Sequence, residues 1–139
     1  MTTPALEDPT APFDEPYPDA EVAIREHLNH VAHSVSVLVS FEWPKIRVSR
    51  IGGGEEDDAT DGARILIRCY ARPSEQNPRA SQNLARRVRL RMKELADGGY
   101  LAGTVIDKVT KTSGPVTTPF EGDPEVRVTE LIYRVAVRD

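Results

Sequence analysis

Apolar residues recur along this chain in two rhythms, and each change of rhythm marks a change of element. Ala20, Ile24, Leu28, Val31 and Val35 fall on one stripe at helical spacing, which predicts a helix over about residues 20–33 with Asp19 as its cap. From Val35 to Phe41 the period shortens to two: Val37, Val39 and Phe41 alternate with Ser36, Leu38 and Ser40. That run predicts a strand ending near Trp43-Pro44. Lys45–Ile51 alternates as a second strand, with Gly52-Gly53-Gly54 read as a hairpin turn, and residues 63–71 form a third. Helical spacing then returns in Leu84, Ala85, Val88, Met92, Leu95 and Ala96. Asn77 is placed to cap this second helix, Pro78 suits its first turn, and Asp97-Gly98-Gly99 stops it. Residues 103–112 and 126–138 read as two more strands, joined by a loop containing Gly114-Pro115, Pro119 and Gly122-Asp123-Pro124. The predicted order is α-β-β-β-α-β-β, an α+β fold of two layers. A mostly antiparallel sheet of about five strands carries both helices on one face.

Period two also sorts the sheet's side chains between its faces. If Ile46/Val48, Ile65/Ile67/Cys69 and Leu131/Tyr133/Val135/Val137 face the helices, the other face receives Arg47, Arg64, Arg68, Arg134 and Arg138. One helix layer cannot cover both sides, so the arginine face meets water, an acidic partner or phosphates. The second helix is basic too: Arg79, Arg86, Arg87, Arg89, Arg91 and Lys93 with no acid between them. Leu90 projects among Arg79, Arg86, Arg89 and Lys93, opposite the buried stripe, where it would anchor a neighbouring subunit. Trp43 is the other candidate apolar anchor.

Composition changes the picture in three places. The 139 residues carry 18 basic and 22 acidic side chains, a net charge of −4, which counts against a dedicated nucleic-acid binder. Residues 1–18 hold Pro4, Pro9, Pro12, Pro16 and Pro18 with Glu7, Asp8, Asp14 and Glu15, and no basic residue. This acidic proline-rich leader is expected to be extended and poorly ordered in isolation, the opposite of a signal peptide, leaving a domain over 19–139. Its Phe13 and Tyr17 are either idle or dock on a partner. Cys69 is the only cysteine, so no internal disulfide is possible and nothing requires an oxidising compartment. No apolar run approaches the roughly 20 residues of a membrane span.

Tests for chemistry give no catalytic, metal or cofactor residues. His27, His30 and His33 fan over about 120° of helix surface, without the glutamate a zinc-protease helix needs, and read as a solvated or interfacial face. Asp57-Asp58-Ala59-Thr60-Asp61-Gly62 fails as a calcium loop, with Ala59 at the third position and Arg68 at the twelfth. The triple glycine is followed by neither a lysine nor a helix, so it is no phosphate cradle. Cys69 lies on the apolar phase of its strand, where packing explains it better than nucleophilic chemistry. The expectation is a protein that is not an enzyme.

Several phrases then resemble a known family. The strand KIRVSRIGGG, the strand DGARILIRCYA, the helix LARRVRLRMKEL and the ending GTVIDKVTKTSGPVTTPFEGDPEVRVTELIYRVAV follow the pattern of tail terminator proteins of long-tailed bacteriophages. The resemblance covers about residues 19–139, and the acidic leader and the carboxylate loop at 55–61 depart from it. It implies a virion protein of the tail and neck, assembled in the bacterial cytoplasm as a ring, typically hexameric, on the finished end of the tail tube. Such a ring stops polymerisation and offers the surface onto which the head joins. The implied partners are copies of itself, the tail-tube protein, the head-completion (stopper) protein and DNA passing through the channel without sequence-specific contact. The ring contact is expected to pair the acidic loop (Glu55, Glu56, Asp57, Asp58, Asp61) with sheet-face arginines such as Arg64 and Arg68 of a neighbour, apolar contacts at Leu90 or Trp43 supplying the rest. The alternatives are another neck component, such as the stopper or a tube subunit, a DNA-binding regulator using the arginine helix, and a small-molecule enzyme.

Overall fold

The computed structural model describes residues 19–55, 60–101 and 103–138, so the leader and the Glu56, Asp57 and Asp58 stretch of the acidic loop lie outside the described residues. The elements are α1 (Ala20–Leu28), β1 (Ser34–Val35), β2 (Lys45–Glu55), β3 (Thr60–Ala71), α2 (Ala80–Lys93), β4 (Gly99–Leu101), β5 (Thr104–Phe120) and β6 (Asp123–Arg138). One six-stranded sheet has the order β1-β2-β3-β6-β5-β4, and every pair but the parallel β1–β2 is antiparallel. The α+β architecture is the expected one, with one short strand more than expected.

The core forms where the helices meet the apolar phase of the sheet. In register, Ile46 stands beside Cys69, Val48 beside Ile67, Ile65 beside Tyr133 and Ala63 beside Val135. All are buried, as are Ile24 and Leu28 of α1 and Leu84, Val88 and Met92 of α2. Each fully buried aliphatic side chain contributes about 1.5–3 kcal/mol. Thr129 shares that face; its hydroxyl donates to Ser81 of α2 (3.0 Å) and lies 2.8 Å from the hydroxyl of Thr117 on β5. This buried chain ties the start of α2 to two strands. Burial pushes the Cys69 thiol up to about 12, so it packs as a small apolar group.

Several boundaries differ from expectation. The helix predicted to residue 33 ends at Leu28, although Asp19 caps it as expected, accepting from the Val22 N–H at 3.1 Å. The strand predicted over 35–41 shrinks to Ser34–Val35, and residues 36–44 form a flap instead. Asn77 does not cap α2: its N–H donates to the Ser74 hydroxyl oxygen and its carbonyl accepts from the Ser74 N–H, in a turn ahead of a helix whose first residue follows Arg79. Ala96 is exposed, because α2 has ended before it. His27 is buried rather than solvated; its Nε2–H donates to the Arg91 carbonyl at 2.9 Å, while Arg91 Nε donates back to the His27 carbonyl. Those two bonds join α1 to α2.

The triple glycine is strand, not turn. Gly53 and Gly54 stay in register with Ala63 and Gly62, after an irregularity between Arg50 and Gly52 that leaves Ile51 exposed. Gly53 has φ 97°, and a Cβ there would stand 2.0 Å from the Gly62 carbonyl oxygen, so only glycine fits. The loop expected over residues 113–125 is mostly ladder as well: β5 runs through Pro115 and Pro119 to Phe120 and turns tightly into β6. Both prolines sit on a stretch of β5 beyond the reach of β4, where a missing N–H breaks no ladder on the outer side. The bonds Trp43–Pro44 and Gly114–Pro115 are cis.

Candidate interaction surface

The sheet face away from the helices divides into a basic half and an aromatic half. Cross-strand register aligns Arg47, Arg68 and Glu130 in one row, Ser49, Leu66 and Ile132 in the next, and Arg64 opposite Arg134 beyond. The expected five arginines therefore do share this face, with Arg138 at its far end. Like charges directly opposite each other destabilise a sheet, and the chain offsets this from within. Arg68 Nε donates to Glu130 Oε1 at 3.0 Å, Arg138 Nε to Asp107 Oδ1 at 2.8 Å, and Arg47 Nε to the Ser36 carbonyl at 3.1 Å. Arg64 and Arg134 are exposed, whereas Leu66, between Arg64 and Arg68 on its own strand, is 8% exposed. Arginine stems of that reach shield an apolar side chain while their guanidinium groups stay in water.

At the other end, four rings meet. Trp43 stacks on Tyr70 (5.5 Å between centroids, 22° between planes) and on Phe41 (5.7 Å, 24°), and Phe120 sets its edge against all three. Offset and edge-on pairs of this kind add about 0.5–1.5 kcal/mol each beyond burial. Gly122 lets the hairpin tip pass under the cluster, since a Cβ there would stand 2.8 Å from the Phe120 ring. The flap that brings Phe41 and Trp43 here is held by buried Lys45, whose Nζ donates to the Ser40 carbonyl (2.9 Å) and hydroxyl (2.8 Å). Leu38 turns inward against the Tyr70, Val126 and Val128 cluster, Val37 and Val39 are exposed, and Phe41 leaves part of its ring open at the margin of the aromatic cluster.

Beside the flap, the Glu125 N–H first and then Arg72 Nη2, each at 3.0 Å, hold the Asp123 carboxyl below the usual range. The buried Trp43 indole N–H makes no hydrogen bond of ordinary geometry, yet stands near enough to Asp123 to add to that lowering.

Leu90 lies elsewhere, on α2, so the two expected apolar anchors are not neighbours. It lines a groove of ≈ 400 Å³ between α2 and β5 with Gln82, Ala85, Arg86, Arg89, Lys93 and Pro115. The acidic side chains expected to meet the arginines are not placed: Glu55 and Asp61 pair in backbone register at the end of β2 and β3, and the residues between them fall outside the described part, apart from Thr60. Sequence reasoning missed Glu130 and Asp107, the chain's own counterions. Glu130 was legible, being on the same phase of its strand as Arg134. Tyr70 and Phe120 were missed too, the second because its segment reads as loop. Among the described residues, no His, Cys, Asp and Glu side chains group as a metal ligand set, and no helix is long and apolar enough to cross a membrane.

No protein-family model matches the chain, and no curated protein matches it in sequence. Among solved structures, a chain of the virion of a native gene transfer agent particle is similar in fold. The TM-score is 0.57 over 86% of this chain and 95% of that one, at 12% identity.

Proposed function

We propose that this chain is a structural subunit of a phage-like virion, and that it forms the ring closing the tail tube where the head attaches. The observation that carries the reading is the shared fold with a chain of a gene transfer agent virion, which spans nearly all of both chains. The sequence resemblance to tail terminators narrows it to the tube end, and the uncovered sheet face supplies surface for assembly. The role is non-catalytic. Cys69, the one strong nucleophile by residue type, is buried and fully protonated at neutral pH.

In this reading the arginine face borders the passage for DNA. Strongly basic walls would hold the duplex through arginine–phosphate pairs. The Arg68–Glu130 and Arg138–Asp107 pairs weaken that hold within each subunit. The same internal pairing counts against a DNA-binding regulator. The test is electron microscopy of the purified protein mixed with tail tubes of its own particle. Density capping one tube end, with tube growth arrested, is the expected result. Binding along the tube sides would reassign the chain to the tube itself, and binding to heads alone would reassign it to head completion.

A further inference from the structure

Among the described residues, the large apolar side chains left exposed are few and not scattered. Val37, Val39 and Phe41 stand on the flap, Ile51 on the neighbouring β2, Leu90 and Val116 beside the α2–β5 groove, and Tyr100 on β4. The flap residues lie over the face away from the helices, and the groove lies beside α2 on the other side. The flap leaves from β1, the first strand in the sheet order, whereas β5 carries on its outer side only the three residues of β4. An uncharged, alternating segment exposed beside a sheet edge is an association hazard unless something covers it. Val39 is 87% exposed.

The flap is nevertheless not loose. Arg47 holds its start at the Ser36 carbonyl, Lys45 holds Ser40, Leu38 is tucked inward and Trp43 is stacked at its end. Such pinning presents Val37, Val39 and Phe41 in one fixed arrangement, which lowers the ordering cost of binding. On the other side, the groove offers Leu90, Ala85 and Pro115 as its apolar floor and Arg86, Arg89 and Lys93 as its cationic rim, with no acid among its lining residues. The flap's only charge is the exposed carboxylate of Glu42, next to Phe41. Apolar and charged parts therefore match between the two patches.

We infer that the flap Val37–Phe41 of one copy seats in the Leu90 groove of a second copy, with Glu42 toward Arg86, Arg89 or Lys93. The inference rests on the proposed ring and names the contact that builds it. Because the two patches differ, the flap on the open sheet face and the groove beside α2, the contact is head to tail and repeats until the ring closes. Val39 and Leu90 act as central anchors within a wider interface.

The experiment uses the full chain with Val39→Asp and Leu90→Asp, both at exposed positions, with circular dichroism to verify folding. Mass is measured by sedimentation over a concentration series. Wild type is expected to give a closed oligomer, and each variant to lose self-association by at least about 30-fold. Mixed one to one, the variants are expected to form a dimer and nothing larger, since the intact groove of one still accepts the intact flap of the other. Variants that assemble as wild type does overturn the contact and leave the ring standing. Loss in both variants with no dimer on mixing overturns it too, because each patch then meets something other than the other patch. A wild-type monomer at every concentration also overturns it, and the capping of tube ends then decides the proposed function separately.

Discussion

The two faces of the sheet are built by the same strands yet obey different rules. Toward the helices, Ile46, Val48, Ile65, Ile67, Leu131 and Val135 are shut off from water and matched to α1 and α2. Away from them, Arg68 and Arg138 meet carboxylates of the same chain, and the aromatic flap covers one end only. A fold needs one closed face. The second is released from that demand, and its residues are held by ion pairs and ring contacts at the surface.

The largest expected effect breaks the closed face. Val88→Asp places a carboxylate without a partner in the core, costing several kcal/mol out of a total of about 5–15, so the variant is expected not to fold. Arg86→Asp, exposed on the same helix, is expected to fold. Circular dichroism of the two separates them, and equal behaviour would mean the helix faces the wrong way. A gentler pair compares neighbours on β3. Ile67→Ala is expected to cost about 2–5 kcal/mol in urea titration, whereas Leu66→Ala, on the other face, is expected to cost about 1–2 kcal/mol.

A smaller effect comes from the α1–α2 contact. Burial, more than any nearby charge, lowers the His27 pKa below its ordinary 6.5, and the Arg91 carbonyl opposes the shift. The folded state then binds fewer protons there than the unfolded one. His27 therefore contributes stability that is complete above pH 6.5 and is lost as the pH falls below it. The stability difference between wild type and His27→Gln is expected to be largest at pH 7–8 and to shrink toward pH 5. A difference that grows on acidification would reverse the sign. Smallest in stability is Glu130→Gln: the half-exposed pair with Arg68 contributes about 0–1 kcal/mol. Its expected readout is tighter, more salt-sensitive association with duplex DNA, measured by fluorescence anisotropy at two salt concentrations.

Much of the closed face was legible because burial leaves a periodic trace. Ile65, Ile67 and Cys69 announce their side of β3 by alternation alone, and the α2 stripe does so by helical spacing. The open face was legible in its arginines but not in its organisation. The flap alternates like a strand, yet strands are made by neighbours. Only Ser34 and Val35 find one, while Lys45 and Trp43 pull the rest over the sheet. Local chemistry misled in the opposite sense at Pro115, Pro119 and Gly53. Proline and glycine ordinarily mark turns, but an outer edge tolerates the first and the close approach of Gly62 demands the second. Glu130 and Asp107 had to be seen in register before they could be seen as counterions.

We propose above that this chain assembles into a closed ring at the end of a tail tube. The most direct test is the mass of the full-length protein under native conditions, alone and with tail tubes of its own particle. The expected result is one discrete oligomer, a fixed small multiple of the 15.4 kDa chain, that also appears at the tube end. A monomer that persists at every concentration and never joins the tubes would contradict it.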